Sequence, residues 1–169
     1  MKTNHRLLLA RTLVSVGFFV LAIVVNNFWP APETDLDRVV KSSREAVYVL
    51  AVLAVLTAPL IEELIYRGIV YSAFQKRFGV GVGFSVASLL FLAVHIPQYW
   101  PSFSTLSVLL LLSMVLTAIR IKTGNLWPCI VLHTVFNGTQ SVLLLLEPYL
   151  SKQPDKIPDP TAFVMHFFR

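Results

Sequence analysis

Five ionisable side chains, Glu62, Glu63, Arg67, His95 and His133, stand inside long apolar runs, together with the carboxamide of Asn137. Near the middle of a bilayer each charge costs at least about 2.5–3.5 kcal/mol on insertion scales, so it needs an internal partner and marks function. Arg11 also lies in an apolar run, but near its end, where a long side chain can snorkel. On a helix Glu63 and Arg67 are four residues apart and share a face, so they can pair and brace that helix. Glu62 is rotated about 100° from Glu63 and aligns with Tyr66 instead. It therefore faces the interior without a full counter-charge, as a general base would.

His95 follows Phe91 at the i,i+4 interval, and Asn137 follows His133 at the same interval. Taken singly, each has a bland reading. A lone intramembrane histidine often only bridges helices, and a lone asparagine is more often interhelical glue. Jointly they offer a carboxylate, two imidazoles and a carboxamide from three helices. Such a set can activate a water and stabilise a tetrahedral oxyanion. Glu62 would take the proton, His95 would orient the water, and His133 with Asn137 would supply donors.

The elements that must position these groups are membrane helices. The 169 residues are 56% hydrophobic and 14% charged, against about 25% charged in a soluble domain. Spanning a bilayer takes roughly 20 helical residues, and lipid offers backbone groups no partners. The uninterrupted runs lack the period-2 alternation of a barrel. The expected fold is all-α, a polytopic transmembrane bundle of about five spans. The expected spans are 7–28, 45–76 with a kink at Pro59, 79–95, 102–121 and 126–147. A polar loop is expected over 29–44 and an interfacial turn over 96–101. Gly79 and Gly83, spaced as small-xxx-small, would admit a close helix neighbour. Residues 1–147 form the expected membrane domain, and 148–169 a Pro-rich tail.

With straight helices, His133 would lie about 10 Å from the inner end of its span and His95 about 24 Å from the inner end of its own. They can meet if the helices tilt or if the Thr123-Gly124-Asn125 turn is recessed. The recessed turn is the expectation.

The formal charge of +5 does not point to nucleic acid, because Lys and Arg sit in small groups between the apolar runs. Phospholipid headgroups are the expected partners of these groups, and the expected location is the cell membrane, multi-pass. Cys129 is the single cysteine, so it can form no intrachain disulfide and no cysteine-based metal site.

The motif residues resemble the CAAX prenyl protease and bacteriocin-processing family, also called the Abi family of intramembrane proteases. Its three blocks, Glu-Glu-xxx-Arg, Phe-xxx-His and His-xxx-Asn, correspond to Glu62-Glu63 through Arg67, Phe91 through His95, and His133 through Asn137, in that order. The lead-in Thr123-Gly124-Asn125-Leu126-Trp127-Pro128 is also family-like. The resemblance covers about residues 58–138. It implies an endopeptidase that uses a glutamate-activated water on a membrane-associated protein or peptide, in CAAX-type or bacteriocin and leader processing. It places the general base on Glu62, a supporting pair on Glu63 and Arg67, and the remaining site groups on His95, His133 and Asn137. The chain carries fewer spans than the prenyl proteases, yet no residue of the three blocks is missing.

Glu62, His95 and His133 also resemble a His₂Glu zinc set. The i,i+4 histidine pair of His-Glu-x-x-His is absent, so no metal is the expectation and zinc the runner-up. Two other classes compete with the enzyme reading. One is a non-catalytic membrane immunity or scaffold protein, in which the polar cluster serves packing. The other is a small transporter, against which the self-neutralised Glu63–Arg67 pair argues.

Overall fold

The structure, a computed structural model, describes residues 32–150, with side chains to 146, and the isolated positions Gly17 and Val24. The expected first span over 7–28 and the tail beyond 150 lie outside the described residues. Five helices follow in order: α1 (Asp35–Ser42), α2 (Arg44–Phe78), α3 (Val80–Tyr99), α4 (Phe103–Thr123) and α5 (Trp127–Leu150). No strand occurs among the described residues. Helices α2 to α5 are each long and apolar enough to cross a membrane. The protein is a polytopic all-α membrane protein. Its large apolar side chains point outward as well as inward: Val49, Val52, Leu53, Leu56, Leu60 and Leu64 form an exposed stripe along α2. Lipid solvates such a face, so burying it inside the bundle is not required.

The expected polar loop over 29–44 is corrected by α1. Thr34 caps this helix, and its hydroxyl accepts from Asp37 N–H while the Asp37 carboxylate accepts from Thr34 N–H at 2.8 Å. This reciprocal capping satisfies two backbone donors that a short helix otherwise leaves open. Ser43, in extended conformation, ends α1 and caps α2 through Ala46 N–H. The expected turn over 96–101 is also corrected, since α3 continues through Pro97 to Tyr99. Likewise α5 runs through Pro148 to Leu150.

Helix α2 is not uniform. Two π-helical segments, Leu53–Thr57 and Leu64–Val70, flank the α-helical stretch Ala58–Glu63 that carries both glutamates. The first precedes Pro59, where the sequence predicts a kink: the ring removes a donor and crowds the preceding turn. Widening the turn to i→i+5, as in Ala58 N–H to Leu53 O, relieves the crowding.

The turn glycines divide their work. Gly79 has φ 90° and open space around it, so it serves the α2–α3 turn. Gly83 is a contact glycine: a Cβ there would lie 2.9 Å from Gln75 N and 3.0 Å from Tyr71 O. Neither backbone atom can yield without moving a helix. Gly83→Ala is therefore expected to destabilise the bundle by about 1–3 kcal/mol, the usual penalty of overpacking. Thermal unfolding in detergent checks it, with Gly81→Ala, which meets nothing within 4 Å, as the neutral control.

These contacts set the register of the site. Gly83 rests on Gln75, and counting twelve residues on from one and thirteen back from the other reaches His95 and Glu62. Leu126, in the α4–α5 turn, packs 3.4 Å from the place of a Gly68 Cβ. Gly68 lies ten residues, about 15 Å, before α2 ends, so the turn packs against α2 well short of that helix's end. From Leu126 forward to His133 and from Gly68 back to Glu62 are nearly equal helical distances. The three residues therefore arrive at one level.

Candidate active site

Glu63 and Arg67 are fully buried, with 0% of either side chain exposed, and pair through Arg67 Nη1 and Glu63 Oε1 at 2.9 Å. This is the pair that the i,i+4 spacing predicts, and it forms although Arg67 lies in a π-helical segment. Arg67 reaches farther than its own helix. Its Nη2 donates to both Ser113 O at 2.9 Å and Ser113 Oγ at 2.7 Å, on α4. Its guanidinium also lies 4.8 Å from the centre of the Phe91 ring, on α3. One buried cation thus ties α2 to α3 and α4. An unpaired charge in such a place would be strongly destabilising, so the neighbours are obligatory.

Glu63 has a second partner. His133 on α5 places Nδ1 2.9 Å from the same Oε1 atom. A carboxylate paired with arginine only accepts, so the proton resides on His133 Nδ1. His95 is held by the same logic. Its Nδ1 lies 2.7 Å from Phe91 O, a carbonyl that can only accept. With Nδ1 engaged, each ring turns its Nε2 the other way, and both Nε2 atoms face Glu62. The distances to Glu62 Oε2 are 4.0 Å from His95 and 3.9 Å from His133. Each is too long for a direct hydrogen bond and suits one bridged by a water.

Glu62 differs from Glu63 in just the way the rotation between neighbouring helical residues requires. Its side chain is 24% exposed, and its Oε2 is buried without a hydrogen-bond partner among the described residues. His95 is 14% exposed, whereas His133 is buried. The accessible edge of the cluster is therefore the Glu62–His95 edge. Phe91 forms its apolar floor, with its ring centre 4.6 Å from His95, 5.8 Å from His133 and 5.3 Å from Tyr66.

Asn137 lies one turn beyond His133, with Nδ2 directed to Ala54 O at 2.9 Å. The reason is local. In the i→i+5 register before Pro59, the donor for Ala54 O would be the nitrogen of Pro59, which carries no proton. Asn137 satisfies that orphan carbonyl and staples α5 to α2 just ahead of the glutamates. Of the residues singled out in the sequence, Glu62, Glu63, Arg67, His95 and His133 converge directly. Asn137 borders them through the backbone of α2.

Ser113 was not among the residues singled out. Its signal was a polar i,i+4 pair, Ser113 and Thr117, in the apolar middle of its span, where a buried arginine elsewhere still needed acceptors. No group of three His, Cys, Asp or Glu side chains among the described residues is arranged to hold a metal ion.

The family model for the Rce1-like type II CAAX prenyl endopeptidases matches residues 44–139, more than half of the chain, and takes in every residue of this cluster. The chain belongs to that Rce1-like family. A curated relative, an uncharacterized 24.3 kDa protein of Escherichia coli, is 31% identical over 130 residues, which cover 73% of this chain and 56% of the relative. The chain thus spans little more than half the length of the relative it matches. No solved structure matches it significantly. Membership in the Rce1-like family makes the chain a member of a membrane protease family.

Proposed function

We propose that this chain is an intramembrane endopeptidase that cleaves a membrane-associated protein or peptide with a water activated by Glu62, in the cell membrane. The observation that carries the reading is the convergence of two Nδ1-anchored imidazoles on a carboxylate oxygen that has no hydrogen-bond partner among the described residues. A water between Glu62 Oε2 and His95 Nε2 lies at the accessible edge of the cluster. Glu62 takes its proton as the oxygen attacks the peptide carbonyl carbon. The tetrahedral adduct then collapses, the C–N bond breaks, and Glu62 returns the proton to the leaving nitrogen.

His133 serves the oxyanion. As an imidazolium it has a carboxylate at each ring nitrogen, Glu63 at Nδ1 and Glu62 across from Nε2, and its Nε2–H can donate to the adduct. Charge bookkeeping supports this: two carboxylates and one guanidinium reach neutrality with a single protonated imidazole. Asn137 has a second amide proton beyond the one given to Ala54, and we place it as the further donor. Glu63 and Arg67 position His133 and do not react.

The proposed site is metal-free. Imidazoles anchored at Nδ1 are also what zinc ligands require, so a chelator arm belongs in the test. The experiment is comparative proteomics of membranes from cells that carry the wild-type chain or Glu62→Gln, with the cleaved peptide then assayed on purified protein. The expected result is a peptide cut only by the wild type and still cut in chelator. Cleavage by Glu62→Gln would sink the mechanism. Activity lost with stoichiometric zinc would replace the glutamate-activated water by a metal-bound one.

A further inference from the structure

Helix α4 contributes no group to the water position, yet the charge network ends on it. Beyond Glu63, the directional hydrogen bonds of the Arg67 guanidinium among the described residues go to one residue, Ser113, through Oγ at 2.7 Å and O at 2.9 Å. Arg67 Nε has no partner among the described residues, and the Phe91 ring beside the guanidinium constrains it without a directional bond. Ser113 is itself fully buried and held: its carbonyl also accepts from Thr117 Oγ1 at 2.8 Å. Thr117 Oγ1 in turn lies 3.5 Å from Ser88 Oγ on α3. Nη1 of the same guanidinium meets Glu63 Oε1, and that one oxygen receives His133 Nδ1 as well.

We propose that Ser113 is a positioning residue, which sets the ring orientation of His133 and the hydrogen bond at its Nδ1 through Arg67 and Glu63. The reasoning is geometric. Glu63 Oε1 is shared between Arg67 and His133, so any movement of the guanidinium drags the acceptor of the imidazole. A guanidinium is a rigid fork, and fixing Nη2 fixes Nη1. With Nη2 held by hydroxyl and carbonyl together, Oε1 has one place to be, and Nε2 of His133 then faces Glu62. Without the hydroxyl, Nη2 keeps only the carbonyl, and the fork, still bonded to Glu63 and lying against Phe91, loses one of the two bonds that fix its far end. The kinetic part of the inference rests on the protease reading, whereas the orientation of His133 does not.

The test uses the full chain in lipid nanodiscs, labelled with ¹⁵N-histidine, as wild type, Ser113→Ala and Ser113→Thr. The wild type is expected to show a proton bound at His133 Nδ1 and protected from exchange, assigned by its loss in His133→Gln. Ser113→Ala is expected to shift and broaden that resonance, and Ser113→Thr, which keeps the hydroxyl, to restore it. On the peptide found by proteomics, Ser113→Ala is expected to lower kcat about tenfold at unchanged KM, as partial loss of a hydrogen bond to a charged group would. Ser113→Thr should recover the rate. If Ser113→Ala does not accumulate, Ser113→Cys takes its place, keeping the size but weakening the acceptor, with the same changes expected. An unchanged His133 resonance in the alanine or cysteine variant overturns the proposal, as does an effect confined to KM. If the resonance responds while the wild-type chain cuts nothing, the positioning role stands and the protease reading fails.

Discussion

Arg67→Leu is expected to remove about 3–5 kcal/mol of stability, the cost of leaving a buried carboxylate without its counter-charge. Both Arg67 and Glu63 are wholly inaccessible, and the guanidinium is the cation bonded to Glu63. Loss of the side chain also takes the donor from the Ser113 hydroxyl, while the Ser113 carbonyl keeps Thr117, and it removes the cation from the face of Phe91. The double variant Glu63→Gln with Arg67→Met separates the possibilities. Replacing both charges by neutral groups of similar shape removes the desolvation penalty along with the attraction, so most of the stability should return. Activity should not return, because a glutamine offers His133 no carboxylate. Urea or thermal unfolding in detergent, read alongside cleavage, checks both halves. If the single variant unfolds like wild type, the pair has no structural weight.

Glu62→Gln is expected to have the opposite profile. The side chain keeps its shape, and a buried carboxylate oxygen without a partner becomes an uncharged amide atom. Stability should therefore hold or rise, since the desolvation cost of an ion is removed. Cleavage should fall by about 10²- to 10⁴-fold, the range over which a positioned general base contributes. Adjacent residues of one type thus predict contrasting phenotypes, one structural and one chemical. Glu62→Gln retaining wild-type turnover, or unfolding as Arg67→Leu does, would contradict the division of roles. The immunity or scaffold alternative also becomes testable here. A packing-only cluster gives variants that lose abundance at both positions and differ in no reaction.

The features legible in the sequence are those governed by a single helix. Composition and run length imply membrane helices, and a rise of about 1.5 Å and turn of about 100° per residue relate near neighbours rigidly. The Glu63–Arg67 pair, the separate direction of Glu62 and the i,i+4 relation of His95 to Phe91 all follow from that geometry. The helix α1 has a local signal of its own, since Thr34 and Asp37 form a capping box inside a charged stretch that reads as loop. Pro97 reads as a breaker, yet it lies inside α3, near the end of that helix, and does not stop it.

Tertiary structure decided what depends on contacts far apart in the chain. Helices whose site residues lie at different depths come to one level because the α4–α5 turn packs against Gly68 and Gly83 admits α2 at close range. The proton on each imidazole is set by an acceptor on another element or another turn. Ser113 meets Arg67 across 46 positions, His133 meets Glu63 across 70, and Asn137 reaches Ala54 across 83. Residue types and periodicity carry no information about helix tilt or about which carbonyl a π-helical turn leaves without a donor. Those are settled only when the side chains of several helices compete for the same buried space and every polar atom there requires a partner.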